Sequence, residues 1–415
     1  MATRVAVYSG TSLALRVFLP FAAGYFLSFM FRTVNAVIAP LLVAETGLSA
    51  SGLGFLTSAF FLSFAAAQLP LGLLLDRFGP RRVEALLLAS AALGSALFAI
   101  AGGPVGLTVA RALIGLGVSA CMMAGFKAFV LWFPPHRLPF VNGCLLAVGG
   151  LGAITATAPV EVLVGAVGWR VLFWGLAAAV VVLSLALLAV VPERGSGGTP
   201  GLRAQLGGMA AVFRDRYFWR LAPATVCAQA AFLSLQSLWA GPWMRDVGGL
   251  DRAAVGTHLM ALAGAVVAGF VVSGAVAERL SRRGIRAGTV AVGAMVLFVL
   301  VQCLIVVAGP LLPGALWMAF GLFGSATTVA YAGLSQHFHG ALAGRANTAL
   351  NVLVFVAAFG VQWGVGVVLD AWEDPVTNTY GAAGYHWAFG ILILLQVATI
   401  GRYAALAARV RDGGH

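Results

Sequence analysis

The sequence predicts an all-α integral membrane protein of about twelve spans in two six-helix halves. Three observations carry that expectation. Of the 415 residues, 61% are hydrophobic and 9% charged, whereas soluble domains carry about 25% charged residues. Apolar runs long enough to cross a bilayer, roughly 20 residues each, recur along the whole chain between short loops. The arginines cluster in alternate loops: Arg77, Arg81 and Arg82; Arg194 through Arg220; Arg279 through Arg286; and Arg402 through Arg411. The intervening loops carry Glu45, Asp370, Glu373 and Asp374. That alternation is the positive-inside pattern, and it puts both termini of a multi-pass protein in the cytoplasm; the high Arg, Ala and Gly content with a single lysine suggests a bacterial source, hence an inner membrane. It also disposes of a nucleic-acid reading of the net charge of +12, because the arginines do not share one soluble face.

Taken in order, the expected spans are 17–42, 51–75, 82–102, 105–133, 139–164 and 169–191 in the first half. In the second half they are 217–241, 253–277, 288–308, 313–336, 344–370 and 385–407. The first apolar stretch is too long for a signal peptide and is expected to be retained. Span 2 ends in GLLLDRFGPRR, where Gly72 permits close helix approach and Gly79 with Pro80 makes a tight turn into span 3. Arg81 and Arg82 are expected to anchor at the lipid surface. Asp76, an acid in a basic loop, needs a partner, for which Arg345 and the positive end of span 11 are candidates. The stretch from Pro192, PERGSGGTPGLRAQLGG, reads as a linker. The expected organisation is a first bundle over 1–192, a cytoplasmic linker over 193–216 and a second bundle over 217–415.

The halves echo each other. Gly72, Asp76 and Arg77 close span 2 as Gly274, Glu278 and Arg279 close span 8, and Asn142 and Asn347 each open a span after a loop arginine. Duplicated halves with a midplane site between them are a common plan among secondary transporters.

Arg32 is the most informative residue. It lies inside span 1, in GYFLSFMFRTVNAVIAP, where a charge costs about 2.5 kcal/mol or more unless it faces a cavity, a partner or a ligand. Tyr25, Ser28, Arg32 and Asn35 share one stripe of that helix. On span 7, Gln229, Gln236 and Trp243 share a stripe. We take Gln236 as a site candidate and Trp243 as part of an interfacial aromatic belt. Asn351 and Gln362 superimpose on span 11, and Tyr331 lies on span 10 with Thr328 and Ser335. Lys127, the single lysine, is a second cationic candidate on span 4. Arg111 lies sixteen residues earlier, about 160° away in azimuth, so the two face one cavity only if the helix bends. No Asp or Glu lies at the centre of spans 1, 4, 7 or 10, and Glu84 reads as a helix-end residue. The expected substrate is therefore a small organic anion, a carboxylate above all, held by Arg32. A coupling proton or a counter-transported anion are both open as partners, and the chain is expected to act as a monomer.

GLLLDRFGPRR resembles the loop signature of the major facilitator superfamily (MFS). Arg111, Gly115 and Gly117 in RALIGLG resemble that superfamily's helix 4 signature, and GWRVLFW from Gly168 resembles the start of its helix 6. The resemblance covers essentially the whole chain. It implies two pseudo-symmetric six-helix bundles working by alternating access, with conformational roles for Gly72, Asp76, Arg77, Gly79, Arg81, Arg111 and Arg345. WFPPHRLPFVNG from Trp132 looks like the corresponding loop of organic-anion and metabolite branches. GGLGAITATAP lacks the GPxxGG run typical of drug–proton antiporters.

Other classes fit less well. A soft-metal (copper) importer would use Cys121, Met122 and Met123 with His258 and Met260, but consecutive residues point in different directions. Drug or metabolite efflux stays as the other transport alternative. A membrane enzyme would need clustered catalytic groups, and neither HExxH nor GxSxG occurs. Cys121, Cys144, Cys227 and Cys303 all lie in apolar runs and read as small core residues. No cofactor or metal is expected.

Overall fold

The computed structural model describes residues 13–134, 137–193, 202–338, 341–374 and 379–412. Residues 194–201 of the expected linker lie outside them.

The first half holds six spans. α1 runs Ala14–Thr33 and continues past a break at Val34 as Asn35–Thr46. α2 is Ala50–Phe78, α3 Pro80–Ile100 and α4 Pro104–Trp132, the last interrupted between Val118 and Cys121. α5 is Leu138–Thr155 followed by Ala158–Val167, bent by 44°, and α6 is Trp169–Val190. A linker helix, Leu202–Arg214, precedes the second half. There α7 is Arg216–Asp246, α8 Arg252–Ser281, α9 Ala287–Ala308, α10 Pro313–His337, α11 Ala341–Asp370 and α12 Ala382–Asp412. A two-stranded antiparallel pair, β1 Glu373–Asp374 and β2 Thr379–Tyr380, lies between α11 and α12. Among the described residues, eleven helices are long and apolar enough to cross a membrane, and twelve when the bent pair of α5 counts as one. The protein is a multi-pass membrane protein. Its outward faces carry exposed aliphatic side chains such as Leu86, Val182, Val271, Val307 and Leu394, as a bilayer solvent requires.

Local chemistry sets the helix ends. Ser49, Asp215 and Asp251 cap α2, α7 and α8 by accepting from the backbone N–H groups of Gly52, Phe218 and Ala254. Gly79, with φ of 79°, turns the chain between α2 and α3, and Gly168, with φ of 80°, does so between α5 and α6. Within the first half, α4 lies so close to α2 and α3 that a Cβ at Gly115 would strike the Phe60 backbone and one at Gly117 the Ala91 backbone. Small residues at such crossings are how membrane helices gain packing contact.

Breaks recur at equivalent places in the two halves. α1 and α7 are irregular at Val34 and over Leu235–Trp239, and α4 and α10 are interrupted near Ser119 and Thr327. In each half a neighbour fills the interruption. Ser28 of α1 donates to the Val118 carbonyl of α4 at 3.5 Å, and Gln229 of α7 donates to the Thr327 hydroxyl of α10 at 2.5 Å.

The halves are sealed together on the side that bears Glu45, Glu161 and Asp370. The Asp370 carboxylate accepts from the Ser51 N–H at 3.1 Å, and Arg252 of α8 pairs with Glu161 of α5. Gly54 of α2 lies against the Gln362 and Trp363 backbone of α11, and Gly241 of α7 against the Ala36 carbonyl of α1. Moving toward the arginine-rich side, the seam continues through Phe61 and Phe64 of α2 against Phe355 of α11.

Candidate functional site

Arg32 lies where α1 meets this seam. Its guanidinium carbon is 4.9 Å from the ring centre of Phe29, 5.4 Å from that of Phe64 and 5.3 Å from that of Phe355. Phe64 and Phe355 stack on each other at 4.4 Å, one from each half. Phe29 is one helical turn before Arg32 on the same face. Cation–π contact with desolvated rings is worth about 2 kcal/mol or more and offsets part of the cost of placing the charge there. It leaves the N–H donors unused. Among the described residues Arg32 has no hydrogen-bonded acceptor and no ion-pair partner, and its Nε is buried without a partner. A planar cation with its donors open is suited to bind a carboxylate or sulfonate in two-point fashion.

The structure disperses the rest of the α1 stripe. The Tyr25 hydroxyl lies 3.7 Å from Met122 Sδ, and Tyr25 packs edge-on to Phe29 at 5.0 Å, so it stays beside the Arg32 cage. Ser28 is committed to the α4 interruption. Asn35 is committed to Arg111: with its amide oriented to suit both groups, the Asn35 oxygen accepts from Arg111 Nε at 3.2 Å and Nη2 at 2.7 Å. Arg111 Nη1 also donates to the Phe31 carbonyl at 3.1 Å, and the guanidinium lies 5.1 Å from the Phe60 ring. Arg111 is thus a buried clamp on the α1 break, and the polar end of Asn35 is taken up inside the first half. Lys127 pairs with Asp76 across α4 and α2. Asp76 was expected to pair with Arg345 or the start of α11, and Lys127 is one partner it has. Arg345 lies against Gly208 of the linker helix.

In the second half, the Tyr331 hydroxyl donates to Asn351 Oδ1 at 3.1 Å, joining α10 to α11. Gln362 is buried. It accepts from Ser237 Oγ at 2.9 Å and donates to Thr57 Oγ1 at 2.7 Å, and its backbone carbonyl accepts from the Trp239 indole at 3.0 Å. It therefore belongs to the seal between halves. Gln236 is half-buried in the irregular turn of α7. Trp243 is not part of an interfacial belt: it is fully buried and packs edge-on to Trp317 of α10 at 5.5 Å.

Comparison with known proteins decides the family. The family model described as Major Facilitator Superfamily matches residues 21–361. The chain belongs to the major facilitator superfamily. This superfamily consists of transporters, not enzymes. Among MFS relatives, the chain is 34% identical over 149 residues to a probable sulfoacetate transporter of Cupriavidus necator, a match covering 36% of this chain and 35% of that protein. It is 32% identical over 147 residues to an uncharacterized transporter of Bacillus subtilis, covering 35% and 34% of the two chains. It is 29% identical over 133 residues to a hexuronate transporter of Escherichia coli, covering 32% and 31%. The matched stretches thus span about a third of each relative. A bacterial homologue of the human lysosomal transporter Spinster, solved inward-facing and occupied, superposes with a TM-score of 0.76 at 18% identity, over 97% of this chain and 98% of that one. That likeness concerns the fold alone.

Within the MFS frame, the GLLLDRFGPRR residues do several different jobs. Gly79 supplies the left-handed turn. Gly72 does not provide a close helix contact: it is exposed, and an added Cβ would meet open space. Arg81 donates to the Leu188 carbonyl at the end of α6, and Arg82 pairs with Glu193 at 2.5 Å. These arginines tie α3 to the chain leaving α6. Arg77 lies over the Phe78 ring at 5.2 Å.

Four residues escaped the sequence reading. Phe29 was discoverable from its spacing to Arg32. Phe64 and Phe355 come from other helices and nothing local marks them. Glu84 reads from the sequence as a helix-end residue, yet it is fully buried in α3 with the Cys121 thiol beside its carboxyl.

Proposed function

We propose that this MFS protein is a secondary transporter that moves a small organic anion by alternating access, with Arg32 as the anion's principal contact. One observation carries the reading: a guanidinium at the junction of the two halves, caged by aromatic rings and without a protein acceptor. Such a residue is retained at that depth when a ligand completes it. Tyr25 lies beside the Arg32 cage, and Gln236, Asn351 and Tyr331 of the second half are proposed as supporting contacts. Two relatives are named for anionic substrates, sulfoacetate and hexuronate, which supports the class. The seal at Asp370, Gln362 and Phe64 is one of the two gates that alternating access needs, and the Asp76–Lys127 and Arg111–Asn35 contacts hold the first half rigid as it moves.

The arginine-rich side is proposed to face the cytoplasm, with the protein in a bacterial inner membrane and working as a monomer. The soft-metal reading gains nothing from the geometry: the Cys121 thiol lies beside Glu84, whereas Met122 takes the Tyr25 hydroxyl. A thermal-shift screen of the purified protein tests the proposal, using small carboxylates, sulfonates, sugar acids, amino acids and nucleosides. A ligand at 100 times its dissociation constant stabilises the native state by about 2.7 kcal/mol. Stabilisation by anions supports the reading. Stabilisation by neutral or cationic ligands alone points to efflux of another substrate class.

A further inference from the structure

A groove runs between α8, α9 and α10 on the outer surface of the second half. It encloses about 400 Å³, and its walls are almost wholly apolar, with Val276 and Leu280 of α8, Gly293 and Leu297 of α9 and Phe323 of α10 among them. Val276 and Leu297 are exposed, so the groove opens onto the bilayer. A Cβ at Gly293 would meet nothing within 4 Å, which leaves the floor of the groove free. The groove has the length of one leaflet. On α8 its lining runs from Gly269 to Leu280, eleven residues apart. Eleven residues of helix rise about 16 Å, roughly half of a hydrocarbon core about 30 Å thick.

One end of the groove lies at the turn from α8 to α9, where Leu280 and Ile285 line it. That turn carries Arg282, Arg283 and Arg286, all exposed. The α8 stripe of Val276 and Leu280 continues to Arg283. The α9 stripe of Leu297, Gly293 and Thr289 leads back to Arg286. Arg282 is taken by Glu278, one helical turn earlier. Among the described residues, Arg283 and Arg286 have no carboxylate partner. α9 begins at Ala287, so the positive end of its dipole points at the same place. The corresponding turn of the first half uses its arginines internally: Arg81 donates to the Leu188 carbonyl and Arg82 pairs with Glu193.

We propose that the groove is a binding site for an anionic phospholipid of the leaflet on the arginine-rich side. One acyl chain lies between α8 and α9, and the headgroup phosphate sits on Arg283 and Arg286. The apolar walls take the tail, and the two guanidinium groups take the phosphate. A zwitterionic lipid brings the same phosphate with an ammonium that offsets it, so the site favours a headgroup of net negative charge. The inference is independent of the anion reading, because none of these residues belongs to the Arg32 site.

Native mass spectrometry of the purified full chain tests it. The protein in detergent is titrated with phosphatidylglycerol or with phosphatidylcholine of the same acyl chains. Two variants are compared with the wild type: the pair Arg283→Gln with Arg286→Gln, and Gly293→Leu, which fills the groove floor and keeps the arginines. Leucine is a better helix former than glycine, and melting temperatures check that each variant is folded. The wild type should bind phosphatidylglycerol more tightly than phosphatidylcholine. The Gln pair should lose about tenfold or more in phosphatidylglycerol affinity, the worth of two arginines near a membrane surface. Gly293→Leu should lose phosphatidylglycerol as well, although its arginines remain. Equal affinity of the wild type for the two lipids overturns the proposal. Unchanged phosphatidylglycerol affinity in either variant does so too: in the Gln pair it removes the headgroup contact, and in Gly293→Leu it removes the groove. A wild-type dimer that Gly293→Leu dissociates would give the groove to a second copy of the chain and also overturns it. Should one variant fail to fold, the other decides by the same criterion.

Discussion

The Gln362 side chain of α11 donates to the Thr57 hydroxyl of α2 at 2.7 Å, and this hydrogen bond crosses from one half of the molecule to the other. The same amide accepts from Ser237 of α7. Thr57 already donates to the Leu53 carbonyl at 2.8 Å, and Ser237 retains the Ser234 carbonyl at 3.5 Å, so losing Gln362 leaves no hydroxyl donor stranded. Its removal should therefore cost about 1 kcal/mol of the sealed state, which is about fivefold in population. A reporter cysteine at Phe61, buried on the α2–α11 seam, should react about fivefold faster with a membrane-impermeant thiol reagent in Gln362→Leu than in the parent. An unchanged rate would show that the aromatic contacts alone hold the seal.

Lys127 and Asp76 are predicted to act as a pair. If Lys127 contacted the anion directly, Lys127→Gln would abolish binding and Asp76→Asn would spare it. The ion pair predicts instead that both variants lose a similar amount of thermal stability and keep anion affinity. In a double-mutant cycle their coupling should be about 0.2–1 kcal/mol, as for part-exposed pairs.

Two glycines of the superfamily signatures should respond oppositely. Gly117→Leu forces a side chain into the Ala91 backbone and should destabilise by about 1–3 kcal/mol or more, read as a lower melting temperature and poor recovery from the membrane. Gly72→Ala meets open space and lies within α2, where alanine is favoured over glycine by up to about 1 kcal/mol. Its melting temperature should stay equal or rise. A fall would place a close neighbour at Gly72 in another state of the cycle.

Asp215 caps α7 and reaches the His337 ring of α10 at 3.2 Å. Partial burial pushes its carboxyl upward, but the Phe218 N–H and His337 outweigh that effect, and the group ends below the ordinary carboxylate value. A depressed value means stability that is fully present above the unfolded value of about 3.9 and is lost as pH falls through the folded one. Melting curves from neutral to acid pH should show that acid loss in the wild type and a smaller one in Asp215→Ala. Parallel pH profiles would remove Asp215 from the account.

How much was legible in the sequence follows from what is local. A charge in an apolar run can be read without neighbours, which is why Arg32 stood out, and so can the Gly79 turn and the positions of the spans. The aromatic cage could not be read: Phe64 and Phe355 are two of 27 phenylalanines, and only tertiary packing brings them to Arg32. Asn35 was assigned to the cavity by helix spacing, but a buried arginine from α4 claimed it. Trp243 looked interfacial from its place near a helix end, and Trp317 covers it. Glu84 looked peripheral because it follows Pro80 by one turn; the missing side chain of Gly24 is what lets α1 close over it.

The central claim is that Arg32 binds the transported anion, and direct binding tests it most sharply. Calorimetric titration of small carboxylates and sulfonates, sulfoacetate and a hexuronate included, should be run on the wild type, Arg32→Lys and Arg32→Gln. The account predicts that at least one anion binds the wild type, that Arg32→Lys weakens it, and that Arg32→Gln loses about tenfold or more in affinity, the value of a charged hydrogen bond, with the folded protein retained. Equal affinity in Arg32→Gln and the wild type would contradict the claim and leave Arg32 as a packing residue of the aromatic seam.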